Sequence, residues 1–275
     1  MTAIRVSILV DRAGENLIGR RAAGFERFRR GAWNDGFNEF VERRSINYDP
    51  AMQPPGQRAW FLKLACIFEG GLVVLGVFLG WLLRVDLIDS LRPDPKALLA
   101  GVLGAVPPFL LLLLTDRFKI PALVRIKRLV LEALGPPLAA CRWYELILVA
   151  ALAGVGEELL FRGVIQPLCE RWLPMPEPWN RVGALILPNV VFGLLHLITP
   201  TYALLAGAMG VYFGVMLDMT GTRNLWAPIL AHGLYDYWAF LLVVWTIRHS
   251  QSQPPSPQIP SLPDADGPTQ SAPPS

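Results

Sequence analysis

The sequence predicts an all-α protein, a polytopic bundle of about six transmembrane helices with one additional interfacial helix. Three observations predict this class. Of the 275 residues, 53% are hydrophobic and only 17% are charged, which is too apolar for an ordinary soluble domain. Several apolar runs are about 17 to 24 residues long, the length that crosses a bilayer as a helix. Clusters of proline and glycine separate these runs.

The first 58 residues are polar and basic. They contain ten arginines, interleaved with aromatic residues such as Phe25, Trp33 and Phe37. Such a segment can lie on an anionic leaflet as a partly amphipathic helix, or extend into solvent. Because lysine and arginine concentrate on the cytoplasmic side, we expect the N-terminus in the cytoplasm. A net charge of +3 does not indicate a nucleic-acid partner.

The apolar runs give the predicted helices in order. The second span contains Pro107-Pro108, which predicts a kink. The basic stretch 116–142 keeps helical spacing of apolar residues, which predicts an interfacial helix ending at Gly135-Pro136-Pro137. Glycines within the fifth span, at 207, 210 and 214, form a small-residue face that favours close helix packing. The predicted spans are 60–83, 97–115, 143–166, 182–198, 203–219 and 225–247.

Two adjacent glutamates and an arginine lie inside the third predicted span. Charged residues at membrane depth are costly, and they usually face a protein interior or a wet cavity at a functional site. Glu158 and Arg162 are four residues apart on one helical face, where they can form an ion pair. Glu157 is rotated about 100° around the helix axis from Glu158, and the sequence places no partner for it on that face. An isolated buried glutamate suits a general base or a group that holds water.

Later spans carry further polar residues at a similar depth. His196 belongs to the fourth span, and His232 and Asp236 lie four residues apart in the sixth. Counting about 1.5 Å per residue from the loop 167–181 places these groups and Glu157 about 12 to 21 Å below one surface. Three helices therefore bring polar groups into one layer. Asn189 shares a face with His196 and is expected to be a helix hydrogen-bonding group.

A purely structural interpretation of these residues stays open. Glu158 and Arg162 could form a buried ion pair, Glu157 could lie near the headgroups, and each histidine could hydrogen-bond between helices. Clustering of ionisable groups at one depth favours a functional site over that interpretation.

Together the polar residues form three motifs: Glu157-Glu158-x-x-x-Arg162, Phe192-x-x-x-His196 and His232-x-x-x-Asp236. In these motifs the chain resembles the CAAX prenyl endopeptidase type II family, the intramembrane proteases also called CPBP or Abi proteins. The resemblance covers about residues 120–248 and implies a protease core there. Outside it we expect the cytoplasmic segment at 1–58, accessory transmembrane helices at 59–119 and, from its proline- and serine-rich composition, a disordered tail at 249–275.

The resemblance implies a role for each motif residue. Glu157 and His196 would hold and deprotonate the attacking water, and His232 with Asp236 would stabilise the oxyanion. The family often has Asn at the position of Asp236, and an ionised carboxylate cannot donate a hydrogen bond. Asp236 must then be protonated, orient His232 or bind a cation. No cofactor is favoured, although Zn²⁺ held by Glu157, His196, His232 and Asp236 is an alternative.

The resemblance also implies a substrate class. We expect hydrolysis of a peptide bond in or near the membrane of a membrane-associated peptide or protein, with CAAX-type C-terminal processing as one form. The lipid bilayer is then a partner, and a multi-pass protein of a bacterial inner membrane is expected. Two further alternatives are a transport-type protein with a polar path and a non-catalytic immunity protein that keeps the pocket.

Overall fold

The computed structural model describes residues 56–115, 117–118 and 120–250, and every regular secondary-structure element in these residues is a helix. The predicted all-α class is confirmed. The N-terminal arginine-rich segment and the C-terminal tail lie almost entirely outside the described residues. The helices are α1 Gln57–Leu82, α2 Leu87–Ser90, α3 Pro95–Gly104, α4 Val106–Thr115, α5 Pro121–Ala140, α6 Trp143–Glu158, a π-helical segment Leu159–Ile165, α7 Gln166–Trp172, α8 Trp179–Leu195, α9 Pro200–Met216 and α10 Trp226–Ser250.

Three helical stretches in the described part are long and apolar enough to cross a membrane: α1, the pair α3 and α4, and α10. Helices α8 and α9 are shorter apolar helices of 17 residues each. The third predicted span corresponds to α6, which continues through the π-helical segment into α7. The architecture is that of a helical membrane bundle.

Two boundaries differ from the prediction and one agrees with it. The helical run that begins with α6 extends past residue 166, because the π-helical segment leads directly into α7. Helix α5 does not end at Gly135; it contains Pro136 and Pro137 and continues to Ala140. Prolines so close to a helix end remove few backbone hydrogen bonds. The break expected at Pro107-Pro108 is confirmed at Ala105, between α3 and α4.

The core of the bundle surrounds α6. One apolar cluster joins α1, α5, α6 and α10 through Phe61, Leu138, Val149 and Phe240, all of which are buried. The backbones of α6 and α10 approach closely at Gly154, where an added Cβ would lie 2.9 Å from the Gly233 nitrogen. This approach brings the acidic end of α6 beside the histidine face of α10.

Helices α8 and α9 pack through small residues. A Cβ on Gly193 would lie 2.5 Å from the Ala203 carbonyl oxygen, and one on Gly207 would lie 3.1 Å from the Asn189 carbonyl oxygen. Gly210 and Gly214 also face Asn189. The predicted packing face at 207, 210 and 214 is therefore confirmed, and it holds α8 close to α9.

Candidate active site

The acidic motif lies where α6 changes into a π-helical segment. Glu157 and Glu158 are the last residues of α6, and Arg162 is in the wider turns that follow. Glu157, Glu158 and Arg162 are each at most 1% exposed. Short π-helical insertions occur often at functional sites because they rotate the following side chains away from regular spacing.

The predicted ion pair between Glu158 and Arg162 is confirmed. Arg162 Nη1 donates to Glu158 Oε1 at 2.9 Å. Its Nη2 donates to Asn189 Oδ1 at 2.8 Å and to the Gly210 carbonyl oxygen at 2.6 Å. Asn189 in turn donates to the Leu185 carbonyl oxygen at 2.7 Å. Arg162 therefore ties the acidic motif to α8 and α9 through two hydrogen bonds, one to each helix.

Glu157 lies between the two buried histidines. The distance from Glu157 Oε1 to His196 Nε2 is 3.9 Å, and the distance from Glu157 Oε2 to His232 Nε2 is 3.8 Å. Both distances are too long for a direct hydrogen bond. A water molecule can bridge polar atoms at such separations. Helices α6, α8 and α10 thus bring together the residues that depth counting placed in one layer.

His196 ends α8 and has a defined hydrogen bond on one ring nitrogen. Its Nδ1 lies 2.8 Å from the Phe192 carbonyl oxygen, which can only accept, so Nδ1 carries the proton. In a neutral ring, Nε2 then has the lone pair and faces Glu157. The Phe192 ring packs on the imidazole at 4.4 Å between centroids, which accounts for the second motif.

His232 is held from both sides. Its Nδ1 lies 2.7 Å from Glu158 Oε1, and the Phe213 ring stacks on the imidazole at 4.8 Å with an interplanar angle of 13°. Asp236 Oδ2 is 3.6 Å from His232 Nε2, beyond hydrogen-bond distance. Glu158, and not Asp236, is therefore the carboxylate that hydrogen-bonds His232, a contact the sequence did not predict.

The cluster opens into a cavity of about 190 Å³. Glu157, His196, His232 and Asp236 lie in its wall, and most of the remaining wall is apolar. The apolar wall comes from α4, α5, α9 and α10, and Lys127 of α5 contributes a positive charge to it.

Comparison with protein-family models gives a match to part of the chain. Residues 139–238 match the family model described as Type II CAAX prenyl endopeptidase Rce1-like. The resemblance stated from the motifs is thereby confirmed, and the matched region contains all six predicted site residues. No curated protein and no solved structure matches the chain. The match shows a similarity to a family of proteases, and the long apolar helices indicate an integral membrane protein.

The proposed zinc ligands do not form a coordination shell as placed. Zinc binds nitrogen and oxygen at about 2 Å, so its ligand atoms converge on one point. Among the described residues, no group of three or more His, Cys, Asp or Glu side chains is arranged to hold a metal ion.

One buried acidic residue near the candidate site lies outside the matched region and was missed in the sequence. Glu69 of α1 is 1% exposed, and its electrostatic neighbours include Glu157, Asp236 and His232. Its backbone carbonyl packs against Gly156, where an added Cβ would lie 2.7 Å from the oxygen. The sequence does contain a signal for Glu69, because it is the only acidic residue in the apolar helix Gln57–Leu82.

Proposed function

We propose that this protein is an intramembrane endopeptidase that hydrolyses a peptide bond with a water molecule activated by Glu157 and His196. The observation that carries the proposal is the position of Glu157 at the wall of an apolar cavity, with a histidine nitrogen 3.9 Å and another 3.8 Å from its two carboxylate oxygens. A carboxylate that activates water needs such a position: it must reach the water molecule, and the water must reach the substrate.

In the first step, one water molecule lies between Glu157 Oε1 and His196 Nε2. Both atoms accept hydrogen bonds when Glu157 is ionised and His196 is neutral, so the water donates one proton to each. Its oxygen lone pair then faces the substrate carbonyl carbon. Glu157 takes the proton as the new C–O bond forms, which makes it the general base.

In the second step, the tetrahedral intermediate carries a negative oxygen. His232 in its imidazolium form donates from Nδ1 to Glu158 and from Nε2 to this oxygen, since both ring nitrogens then carry protons. The Glu158 contact at 2.7 Å fixes the orientation of the ring. The intermediate collapses when the C–N bond breaks and Glu157 returns its proton to the leaving amine.

The proposed substrate is a membrane-associated peptide or protein, cleaved in or near the bilayer. The mostly apolar cavity wall supports this class, because an apolar segment can enter it without exposing backbone to lipid. CAAX-type processing near a C-terminus is one form of this activity. We propose a location in a bacterial inner membrane with a cytoplasmic N-terminus and without a nucleic-acid partner.

The test compares membranes that contain wild-type protein with membranes that contain Glu157→Gln. Mass spectrometry of peptide termini should find substrates that remain uncleaved only in the variant. Glu132→Gln is the matched control, because Glu132 is a half-exposed partner of Arg128 on α5 and lies outside the cavity wall. Identical termini in the wild type and in Glu157→Gln would argue for the immunity or transport alternative.

A further inference from the structure

A polar pocket of about 580 Å³ lies on the face of the bundle that carries the loop 173–178 and the turn 217–225. Its wall comes from α7, the start of α8, the end of α9 and this turn. No described residue lies both in this wall and in the wall of the catalytic cavity. The proposed mechanism therefore makes no use of the pocket. Three acidic and two basic residues line it: Glu170, Glu177, Asp218, Arg181 and Arg223.

The charged residues leave the pocket with an excess of negative charge. Arg223 donates to both carboxylate oxygens of Glu170 at 2.8 Å and to those of Asp218 at 3.1 and 3.0 Å. Its Nη2 contacts Glu170 Oε1 and Asp218 Oδ2, so these two oxygens lie side by side. One guanidinium thus balances two carboxylates. Glu177 and Arg181 form a separate pair at the rim, where their side chains are 61% and 79% exposed.

Gln166 forms the floor of the pocket. It is 4% exposed, and its Oε1 has no hydrogen-bond partner among the residues that the structure describes. A Cβ on Gly214, another wall residue, would lie 3.0 Å from this oxygen. Gln166 and Glu170 are four residues apart in α7 and share one helical face. Because a buried amide oxygen without a donor is costly, the floor offers an acceptor to a bound group.

The wall has few donors to offer in return. Both hydrogens of Asn180 Nδ2 are engaged, by the carbonyl oxygens of Glu170 and Leu173 at 3.0 and 2.8 Å. All three guanidinium nitrogens of Arg223 already bond carboxylates. Besides the amide nitrogen of Gln166 itself, the rest of the described wall has no polar side chain. It consists of Leu185, Gly214, Val215 and Gly221. A complementary ligand therefore brings hydrogen-bond donors and a positive charge.

Two tryptophans place the mouth of the pocket at the membrane surface. Trp172 ends α7 and Trp179 begins α8, and they are 62% and 64% exposed. Exposed tryptophans are typical of the boundary between lipid and water. Glu170 and Arg181 of the wall are each two residues from one of these tryptophans. The pocket is thus within reach of lipid headgroups.

We propose that this pocket binds a primary ammonium group at the membrane surface, held by Gln166 Oε1 and the carboxylates of Glu170 and Asp218. An ammonium group has one positive charge and three N–H donors, which match the excess charge and the open acceptor. The ethanolamine headgroup of a phospholipid and a free amine in water share this chemistry. The inference goes beyond the proposed function and does not depend on it.

The test uses the purified full-length protein in nanodiscs that contain equal amounts of phosphatidylethanolamine and phosphatidylcholine. Native mass spectrometry measures the ratio of the two lipids that stay bound after release from the nanodisc. Both headgroups carry a positive nitrogen, but choline has methyl groups in place of the N–H donors. A preference for ethanolamine therefore reports recognition of N–H donors and not of charge alone. Soluble ethanolamine, added in a second series, competes with the lipid for the same site.

The variants are Asp218→Asn and Gln166→Leu, with Asp89→Asn as the matched control. Asp218→Asn removes the excess charge, and Gln166→Leu removes the floor acceptor at similar size. Each should reduce the preference for ethanolamine roughly tenfold, as expected for one hydrogen bond to a charged group. Asp89 is exposed, pairs with Arg92 on the same face of the bundle and lies outside the pocket wall. Asp89→Asn should keep the preference.

Equal retention of the two lipids by the wild type, without displacement by soluble ethanolamine, would overturn the proposal. A preference that Asp218→Asn and Gln166→Leu both keep would also overturn it, because the recognition would then lie elsewhere. Displacement of the lipid by soluble ethanolamine, or binding of that amine alone, would assign the site to a free amine. Thermal unfolding of each variant separates loss of ligand from loss of fold. Asp218 is half-exposed, so Asp218→Asn keeps the test decisive if Gln166→Leu does not fold.

Discussion

Glu158 Oε1 lies 2.7 Å from His232 Nδ1 and 2.9 Å from Arg162 Nη1. One carboxylate oxygen therefore accepts from a cation on its own helical run and from the imidazole of another helix. Charge-assisted hydrogen bonds of this kind are stronger than neutral ones, and all three groups are excluded from solvent. Glu158 thus connects the stability of the bundle to the orientation of a proposed catalytic ring.

We predict that Arg162→Ala reduces the amount of folded protein. The substitution leaves Glu158 as a buried charge and removes the donors to Asn189 and Gly210, at a cost of about 3 to 5 kcal/mol. Thermal or denaturant unfolding in detergent measures this loss. Arg171→Ala is a suitable control, because Arg171 forms exposed hydrogen bonds to backbone carbonyls at the end of α1. A loss no larger than that of the control would contradict the structural role of Arg162.

Glu157 and Glu158 should respond differently to replacement by Gln. Glu157→Gln should leave a folded protein with little activity, because an amide cannot take the proton from water. Glu158→Gln should reduce both activity and stability, since its carboxylate holds His232 and Arg162. Cleavage of an identified substrate and unfolding temperature, measured for both variants, test the two effects. Full activity in Glu157→Gln would remove it from the role of base.

The sequence predicted the local pair and the common depth, but not the contacts between helices. Glu158 and Arg162 are related by helical spacing within one segment, so the pair followed from the sequence. Depth counting placed His196, His232 and Glu157 in one layer. Depth counting does not predict how α10 is rotated about its own axis. The hydrogen bond between Glu158 and His232 depends on that rotation.

The π-helical segment and Glu69 were missed for different reasons. The π-helical turns keep an apolar sequence like that of an α-helix, so nothing in Leu159–Ile165 distinguishes them. Glu69 was visible as a single acid in an apolar helix, but its role depends on how α1 packs against Gly156. Such packing between distant segments requires the three-dimensional arrangement.

We predict that Glu69→Gln lowers activity although Glu69 lies outside the matched region 139–238. In its ionised form, Glu69 favours proton uptake by the neighbouring Glu157 and favours the imidazolium form of His232. Loss of that charge should reduce kcat roughly tenfold, the effect of one unit of proton affinity. The pH profile of kcat should shift in Glu69→Gln and return towards the wild type in Glu69→Asp. An unshifted profile with lower protein yield would indicate a purely structural residue.

The topology prediction concerns the two ends of the chain. Ten arginines precede the first predicted span, whereas the link 84–96 has three basic residues, so the N-terminus is expected in the cytoplasm. Six spans would return the C-terminal tail to the same side. Reporter fusions at residues 40 and 260 should therefore both report the cytoplasm. Reporters on opposite sides would require an odd number of crossings.

Asp236 distinguishes the metal-free mechanism from the zinc alternative. It is fully buried, and neither of its carboxylate oxygens has a hydrogen-bond partner in the described part of the chain. In the metal-free mechanism Asp236→Asn should be tolerated, because the amide adds a donor near the oxyanion and leaves the hydrogen bond between Glu158 and His232 intact. Activity should also survive strong chelators.

A zinc enzyme would respond in the opposite way to the same substitution. Replacing a carboxylate ligand by an amide weakens metal binding, so Asp236→Asn would lose metal and activity together. Elemental analysis of the purified wild type, combined with cleavage assays of Asp236→Asn, measures both properties. His249→Asn is the control, since His249 lies at the exposed end of α10 with Nδ1 2.9 Å from the Trp245 carbonyl oxygen. Stoichiometric zinc in the wild type that is absent from an inactive Asp236→Asn would replace the proposed mechanism by a metalloprotease mechanism.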